Sequence, residues 1–330
     1  MTTLEISKET WALKDPFVIA RGSRTETHVI KVELSCNGKM GRGESVPTAR
    51  YGETIDSVCR QLESVSDQIR AGATRQHLIS LLPAGAARNA VDCALWDLEA
   101  KQKQTTVSNL LGLPYPDSVR SVQTISIDSP ENMGLAASKL RNFPKLKVKL
   151  NGEHILSRLA AVHKHAPHAE ILIDANESWT IDLLNRIAPS LANFGVVLVE
   201  QPLPAGRDEE LRGLELPIPI GADESCHTAN DIEELVGLYD VVNIKLDKTG
   251  GLTEAVTLAN SARHAGLDIM IGCMVGTSLA MAPAMVLATG ASYVDLDAPV
   301  LLREDRKYGL TIKDGKMSRL DERLWGGPIP

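Results

Sequence analysis

The sequence predicts an α/β fold, a closed parallel barrel of the TIM type preceded by a smaller α+β unit. Eight short apolar segments from about Val122 onward, VQTISI, LKVKL, EILIDAN, VVLVEQP, PIGADES, VVNIKLD, DIMIGCM and YVDLDAP, alternate with helix-patterned stretches. Such alternation implies parallel strands joined by right-handed crossovers. Lys149, Asp174, Glu200, Asp223, Lys245, Cys273 and Asp295 recur at intervals of 25, 26, 23, 22, 28 and 22 residues. One strand–helix unit costs about that many residues, so each unit delivers one polar side chain to the C-terminal rim, where barrels of this type carry their sites. The length of 330 residues suits one large barrel plus a smaller unit.

The N-terminal part has a different rhythm. Leu4–Leu13 and His28–Ser35 alternate like strands, and CNGKMGRGE reads as a glycine-punctuated hairpin turn. SVCRQLESVSDQIR and AARNAVDCALWDLEAKQ have helical periodicity, and Ala87, Ala90, Ala94 and Trp96 mark the second as a closely packed helix. The expected organisation is a capping domain over 1–118, completed by residues 310–330 returning to it, and a barrel over 119–309 whose last helix is imperfect.

Composition excludes several function classes. Hydrophobic residues make up 43% and charged residues 23%, which rules out a disordered chain. A net charge of -7 and 4% aromatics argue against a phosphate-backbone binder or a base-stacking platform. No nucleic-acid partner is therefore expected. No apolar run is long enough to span a bilayer and the start MTTLEISKETWALKDP lacks a signal-peptide core, so no membrane partner is expected either. Five cysteines without a CxxC read as reduced thiols of a cytoplasmic protein.

The chemistry rests on acids and lysines at the strand ends. Asp174, Glu200 and Asp223 close strands three, four and five, and neighbouring strands lie ~5 Å apart. Three converging carboxylates need a cation, and an all-oxygen donor set favours a hard ion such as Mg²⁺. Asn176 shares a face with Asp174 and suits the ion's outer shell. Lys147 and Lys149 share a face of strand two; a lone strand lysine is ordinarily a solvated edge, but a closed barrel has no edge. Adjacent ammonium groups are expected to depress each other's pKa toward the range of a base. Lys245, followed by Asp247, lies on strand six, four strands from Lys149 in a ring of eight. Two opposed bases can remove a proton from one face of a carbon and return it on the other, and a metal-bound carboxylate stabilises the intervening enediolate.

The motifs KVK, IDAN, VEQP, GADES and NIKLDKTGGL, in this order along the whole chain, resemble the muconate-lactonizing-enzyme subgroup of the enolase superfamily. The resemblance implies a (β/α)7β modified TIM barrel under an N-terminal capping domain, Mg²⁺ on Asp174, Glu200 and Asp223, and Lys149 and Lys245 as the acid/base pair. Lys147 would hold the substrate carboxylate and tune Lys149. Asp295 and Asp297 at the end of strand eight are similar to the pair with which dipeptide epimerases hold a free amine, as a charge-assisted contact would. In FVIARGSRTE the resemblance implies an arginine for a glutamate side chain; Arg24 is favoured and Arg21 stays open. TARYGE resembles a second capping loop that excludes water, and Thr124 and Cys273 are further candidate substrate contacts.

The implied reaction is Mg²⁺-dependent inversion of the glutamate α-carbon of a small dipeptide, L-Ala-D/L-Glu, in murein peptide recycling. Alternatives within the subgroup are an N-acylamino acid racemase, an o-succinylbenzoate synthase or a cycloisomerase; outside it, a non-catalytic metal-binding barrel. The resemblance leaves a homo-oligomer open. The run His163, His165 and His168 reads as a solvated helix C-terminus rather than a metal site.

Overall fold

The computed structural model describes residues 2–328. Met1, Ile329 and Pro330, the outermost residues of the two expected terminal segments, lie outside the described residues.

The N-terminal unit is built on an antiparallel sheet of β1 (Thr3–Ile19), β2 (Gly22–Cys36) and β3 (Lys39–Ser45), in that order. Two glycines in the expected hairpin explain how helix Ala86–Gln102 lies flat on this sheet. A Cβ on Gly41 would sit 2.2 Å from the Ala94 carbonyl, and one on Gly43 2.1 Å from that of Ala90. The alanines on the facing helix serve the same close approach, and Ile30, Val32, Leu34, Leu62 and Leu78 complete a separate apolar core beneath it. The segment FVIARGSRTE, expected as a loop, is the tip of the long β1–β2 hairpin, with Phe17 opposite Arg24 and Ile19 opposite Gly22. A register shift between Ala12 and Phe17 bends it, and Ile127 donates to the Val18 carbonyl (3.1 Å), fastening the tip to the barrel.

A two-residue strand, β4 (Val119–Arg120), leads into the barrel. Its eight strands are β5 (Gln123–Ile125), β6 (Lys145–Lys149), β7 (Glu170–Asp174), β8 (Val196–Glu200), β9 (Ile220–Ala222), β10 (Val241–Lys245), β11 (Asp268–Gly272) and β12 (Tyr293–Val294). They form one parallel sheet in sequence order, and the Val122 amide donating to the Val294 carbonyl (2.9 Å) joins its two edges. All eight expected strands are present. Val122, Leu172, Leu198, Val241 and Met270 fill the lower interior as one apolar layer, leaving the C-terminal end for polar side chains.

The connections depart from strict alternation. Between β8 and β9 there is only a 3₁₀ turn, Asp208–Leu211, and between β9 and β10 a 3₁₀ turn plus Ile232–Leu235. Pro202, Pro204, Pro217 and Pro219 crowd the first of these connections. Each lacks a backbone donor and disfavours helix in the preceding residue, so the segment stays irregular. After β12 the eighth helix is reduced to Ala298–Leu301, the imperfect closing unit. The chain then returns through β13 (Ile312–Lys313) and β14 (Lys316–Met317), which pairs with β4. Trp325 is fully buried, its indole donating to the Cys93 carbonyl (3.0 Å), and Gly326 donates to Asp97 (2.7 Å). No described helix is long and apolar enough to cross a membrane.

Candidate active site

Asp174 and Glu200 are the last residues of β7 and β8, and Asp223 follows β9 directly. All three are buried, and one oxygen of each lies within 4.8 Å of the others; among the described residues this is the one acid, histidine or cysteine group able to hold a metal ion. Lys147 and Lys149 stand on β6 at one end of this acid arc, and Lys245, the last residue of β10, at the other. Lys149 Nζ lies 2.5 Å from Asp174 and Lys245 Nζ 2.6 Å from Asp223. Lys147 reaches Glu200 (2.6 Å), Asp295 (2.7 Å) and Asp174 (3.0 Å). The acid-bearing strands β7, β8 and β9 thus lie between the two lysine strands β6 and β10. The donors are all oxygen, and Glu200 Oε2 takes no partner but the Lys147 ammonium at 2.6 Å. A hard cation suits that oxygen and that cluster.

For Lys147 the expected depression is reversed by its acidic neighbours. Burial pulls Lys147 down, but Asp174, Asp295 and Glu200 outweigh it and hold the ammonium well above its usual range. Lys245 is likewise raised, against its burial, by Asp223 and Glu200. On the acid side burial opposes ionisation throughout, yet Lys147 and Lys149 keep Asp174 below the usual carboxylate range, and Lys245 and Lys248 do so for Asp223. Burial and the Asp174 charge push Glu200 up to about 7.

Asn176 meets the cluster through its backbone, donating to Asp174 Oδ1 (2.9 Å) from a left-handed conformation at φ 45°. Asp247 turns away from Lys245 toward the capping unit, accepting from the Val46 amide (2.9 Å) and the Asn89 side chain (2.8 Å). It bolts the two units together beside an interface cavity of about 320 Å³. Burial raises Asp247 to about 7, and burial plus the neighbouring Asp295 charge does the same for Asp297. Both folded values exceed the ordinary carboxylate value, so each group stabilises the fold below pH ~4 and loses that contribution as pH rises through 7. The metal-free protein is expected to lose on the order of 1 kcal/mol per group between pH 6 and pH 8. Urea midpoints at the two pH values measure this, and Asp247→Asn should flatten the difference.

Opposite the acid arc, Asp295 Oδ2 takes Lys147, and Asp297 Oδ2 accepts from the Thr124 amide (2.6 Å) and the Gln123 side chain (3.2 Å). Cys273 lies close to both aspartates; burial first and their charges second push its thiol well above the usual range. At the hairpin tip Arg24 stacks over Phe17 at 5.5 Å, and Lys149 faces the same ring at 5.8 Å. Among the described residues no carboxylate pairs with Arg24. Arg21 is committed to the protein, with Nη1 at 2.7 Å from Glu224, 3.0 Å from Glu177 and 3.1 Å from the Asn176 carbonyl.

Several site residues escaped the sequence reading. Lys248 is fully buried and donates to both the side chain (2.8 Å) and the carbonyl of Asp223, and to the Asn243 carbonyl (2.8 Å). Asn243 donates to Glu200 Oε1 (2.8 Å); its place two residues before Lys245, on the inward face of β10, was a usable signal. Glu224 adds a fourth buried acid, paired through Oε1 with Arg21 (2.7 Å), and burial with Asp223 and Asp174 raises it to about 7. Its signal was adjacency to Asp223 alone.

Residues 132–323 match the family model "Enolase C-terminal domain-like", and residues 1–112 that of the mandelate racemase/muconate lactonizing enzyme N-terminal domain. The chain belongs to the enolase superfamily and is an enzyme of its mandelate racemase/muconate lactonizing enzyme group. It is 46% identical over 96% of its length to the L-Ala-D/L-Glu epimerase of Escherichia coli K12, covering 99% of that protein. It is 50% identical over 87% of its length to an N-acetyl-D-glutamate racemase of a Pseudoalteromonas species, covering 91% of it. Among solved structures it resembles an enolase family member from Agrobacterium tumefaciens with homology to dipeptide epimerases, bound to sodium and L-Ala-L-Glu with an ordered loop. That match has a TM-score of 0.96 at 43% identity and covers 99% of this chain and all of the other.

Proposed function

We infer that the chain is a Mg²⁺-dependent epimerase that inverts the glutamate α-carbon of L-Ala-D/L-Glu in murein peptide recycling in the cytoplasm. The observation that carries this is the placement of Lys149 and Lys245 at opposite ends of one arc of acids, facing a second carboxylate pair. Asp174, Glu200 and Asp223 would hold the ion. Bound Mg²⁺ would balance the enolate charge and draw the carboxylates off the lysines, so that one of Lys149 and Lys245 can lose its proton. That amine takes the α-proton from one face; the ammonium of the other lysine returns a proton to the opposite face. Lys147 would hold the substrate carboxylate. The working division is a capping domain, 1–118 with 310–330, over a barrel of 119–309.

Specificity follows from charge. Asp295 and Asp297 each use Oδ2 within the protein and have Oδ1 to offer a free α-ammonium. An N-acyl group brings no charge to that pair and leaves buried carboxylate uncompensated. Uncommitted Arg24 suits the glutamate side-chain carboxylate through its planar fork. Thr124 and Cys273 stand beside the aspartates.

A second reading, an N-acylglutamate racemase, is favoured by the 50% identity to the Pseudoalteromonas protein. Comparing kcat/KM for L-Ala-L-Glu and N-acetyl-L-glutamate separates the two. A preference of about 100-fold for the dipeptide is expected, reduced at least tenfold in Asp297→Asn, since a buried charge pair is lost. Faster racemisation of N-acetylglutamate would establish the second reading instead.

A further inference from the structure

We propose that Glu177 is a positioning residue that latches both capping loops to the barrel rim and thereby sets Arg24 over the site. Glu177 lies three residues beyond Asp174 and has no place in the acid arc. Its carboxylate nevertheless receives four donors. Arg50 grips it through both arms of the guanidinium, Nε to Oε2 at 2.7 Å and Nη2 to Oε1 at 2.6 Å. Arg21 Nη1 reaches Oε2 at 3.0 Å, and the Ala205 amide donates to Oε1 at 2.9 Å. The acceptor positions of an ionised carboxylate are then filled.

The two arginines come from different loops. Arg21 is at the tip of the β1–β2 hairpin, and Arg50 is in the 3₁₀ turn Ala49–Tyr51, whose Tyr51 packs edge-on against His227 at 4.7 Å. Both loops therefore converge on one side chain. Glu177 holds a left-handed backbone at φ 66°, directly after Asn176 at φ 45°. Two successive non-glycine residues in that region are strained, and the Asn176 amide at the same bend donates to Asp174. The bend that aims Glu177 at the loops thus also braces an acid of the arc. Arg21 and Arg24 share one hairpin tip, Arg24 lying opposite Phe17. Anchoring Arg21 fixes where Arg24 stands, so Arg21 works as the anchor and Arg24 as the group left for a ligand.

The test has one arm independent of turnover. Limited trypsin digestion of the full chain with Mg²⁺ reads release of the tip as cleavage after Arg21. Glu177→Gln, which keeps the size but offers a single acceptor oxygen, is expected to speed that cleavage about tenfold with little change in thermal midpoint. Arg50→Ala, which leaves the bend untouched, should act in the same direction if Glu177→Gln fails to fold. Unchanged cleavage in the folded variants overturns the latch. The kinetic arm rests on the dipeptide reading. In Glu177→Gln, KM for L-Ala-L-Glu should rise about tenfold while KM for L-Ala-L-Met changes less than about twofold, and adding Arg24→Ala should cost no more than Arg24→Ala alone. Equal KM rises for both dipeptides, or additive costs, would overturn the positioning of Arg24. A chain that turns over neither dipeptide contradicts the proposed function, and the digestion arm still decides the latch.

Discussion

Lys245→Ala is expected to lower epimerisation of L-Ala-L-Glu by at least ~10³-fold, and Lys149→Ala to do the same, because a positioned general acid or base contributes about 10²–10⁴-fold. What distinguishes a two-base mechanism is the activity each variant keeps. With Lys245 gone, Lys149 still faces one side of the α-carbon, and the variant should exchange the α-proton of one epimer with solvent deuterium without inverting it. The Lys149→Ala variant should exchange the other epimer. Proton NMR of each epimer in deuterated buffer reads this directly. Exchange of both epimers by either variant would mean that one base reaches both faces. Neither substitution should unfold the protein, since both lysines lie at the open end of the barrel, above the apolar layer of Val122, Leu172, Leu198, Val241 and Met270.

Removing magnesium, or replacing Glu200 by glutamine, should reduce turnover by a comparable ~10³-fold, the scale on which fixed charge acts on a developing enolate. Glu200 is the most informative of the three acids. Its Oε2 is buried with the Lys147 ammonium alone as partner, and its carboxyl is raised to about 7 while Asp174 and Asp223 are held low. An amide there keeps a donor–acceptor pair for Asn243 but gives the ion one charge fewer. Calorimetric titration with MgCl₂ should show binding weakened at least tenfold in Glu200→Gln, with the fold intact by circular dichroism. Undiminished turnover in chelated protein would remove the metal from the mechanism.

The barrel and the acid–lysine arc were legible in the sequence because both are set by period. A strand delivers its last inward residue to the rim, and units of 22 to 28 residues repeat that delivery around the ring. Missing helices were harder to read, because prolines end helices without saying what replaces them; the turn at Asp208–Leu211 is the case in point. Asp247 belongs to helix Leu246–Thr249, which begins directly after β10, so the two-residue strand period that aligns Asn243 with Lys245 does not reach it. The direction of the Lys147 shift depends on distances between strands, which place Asp295 within 2.7 Å of it, and these are not written in a strand's own residues. Glu177 and Arg50 could not be paired from sequence at all. They are 127 residues apart, on a rim bend and a capping turn whose meeting is fixed only once both units are folded.

The most direct test of the central claim is to incubate the magnesium-loaded protein with L-Ala-L-Glu in deuterated water and follow the glutamate α-proton by NMR. The opposed lysines predict that L-Ala-D-Glu accumulates and that the product epimer carries deuterium at the glutamate α-carbon, while the alanine α-proton is retained. A glutamate α-proton that persists through long incubation, with no second epimer formed, would contradict the account.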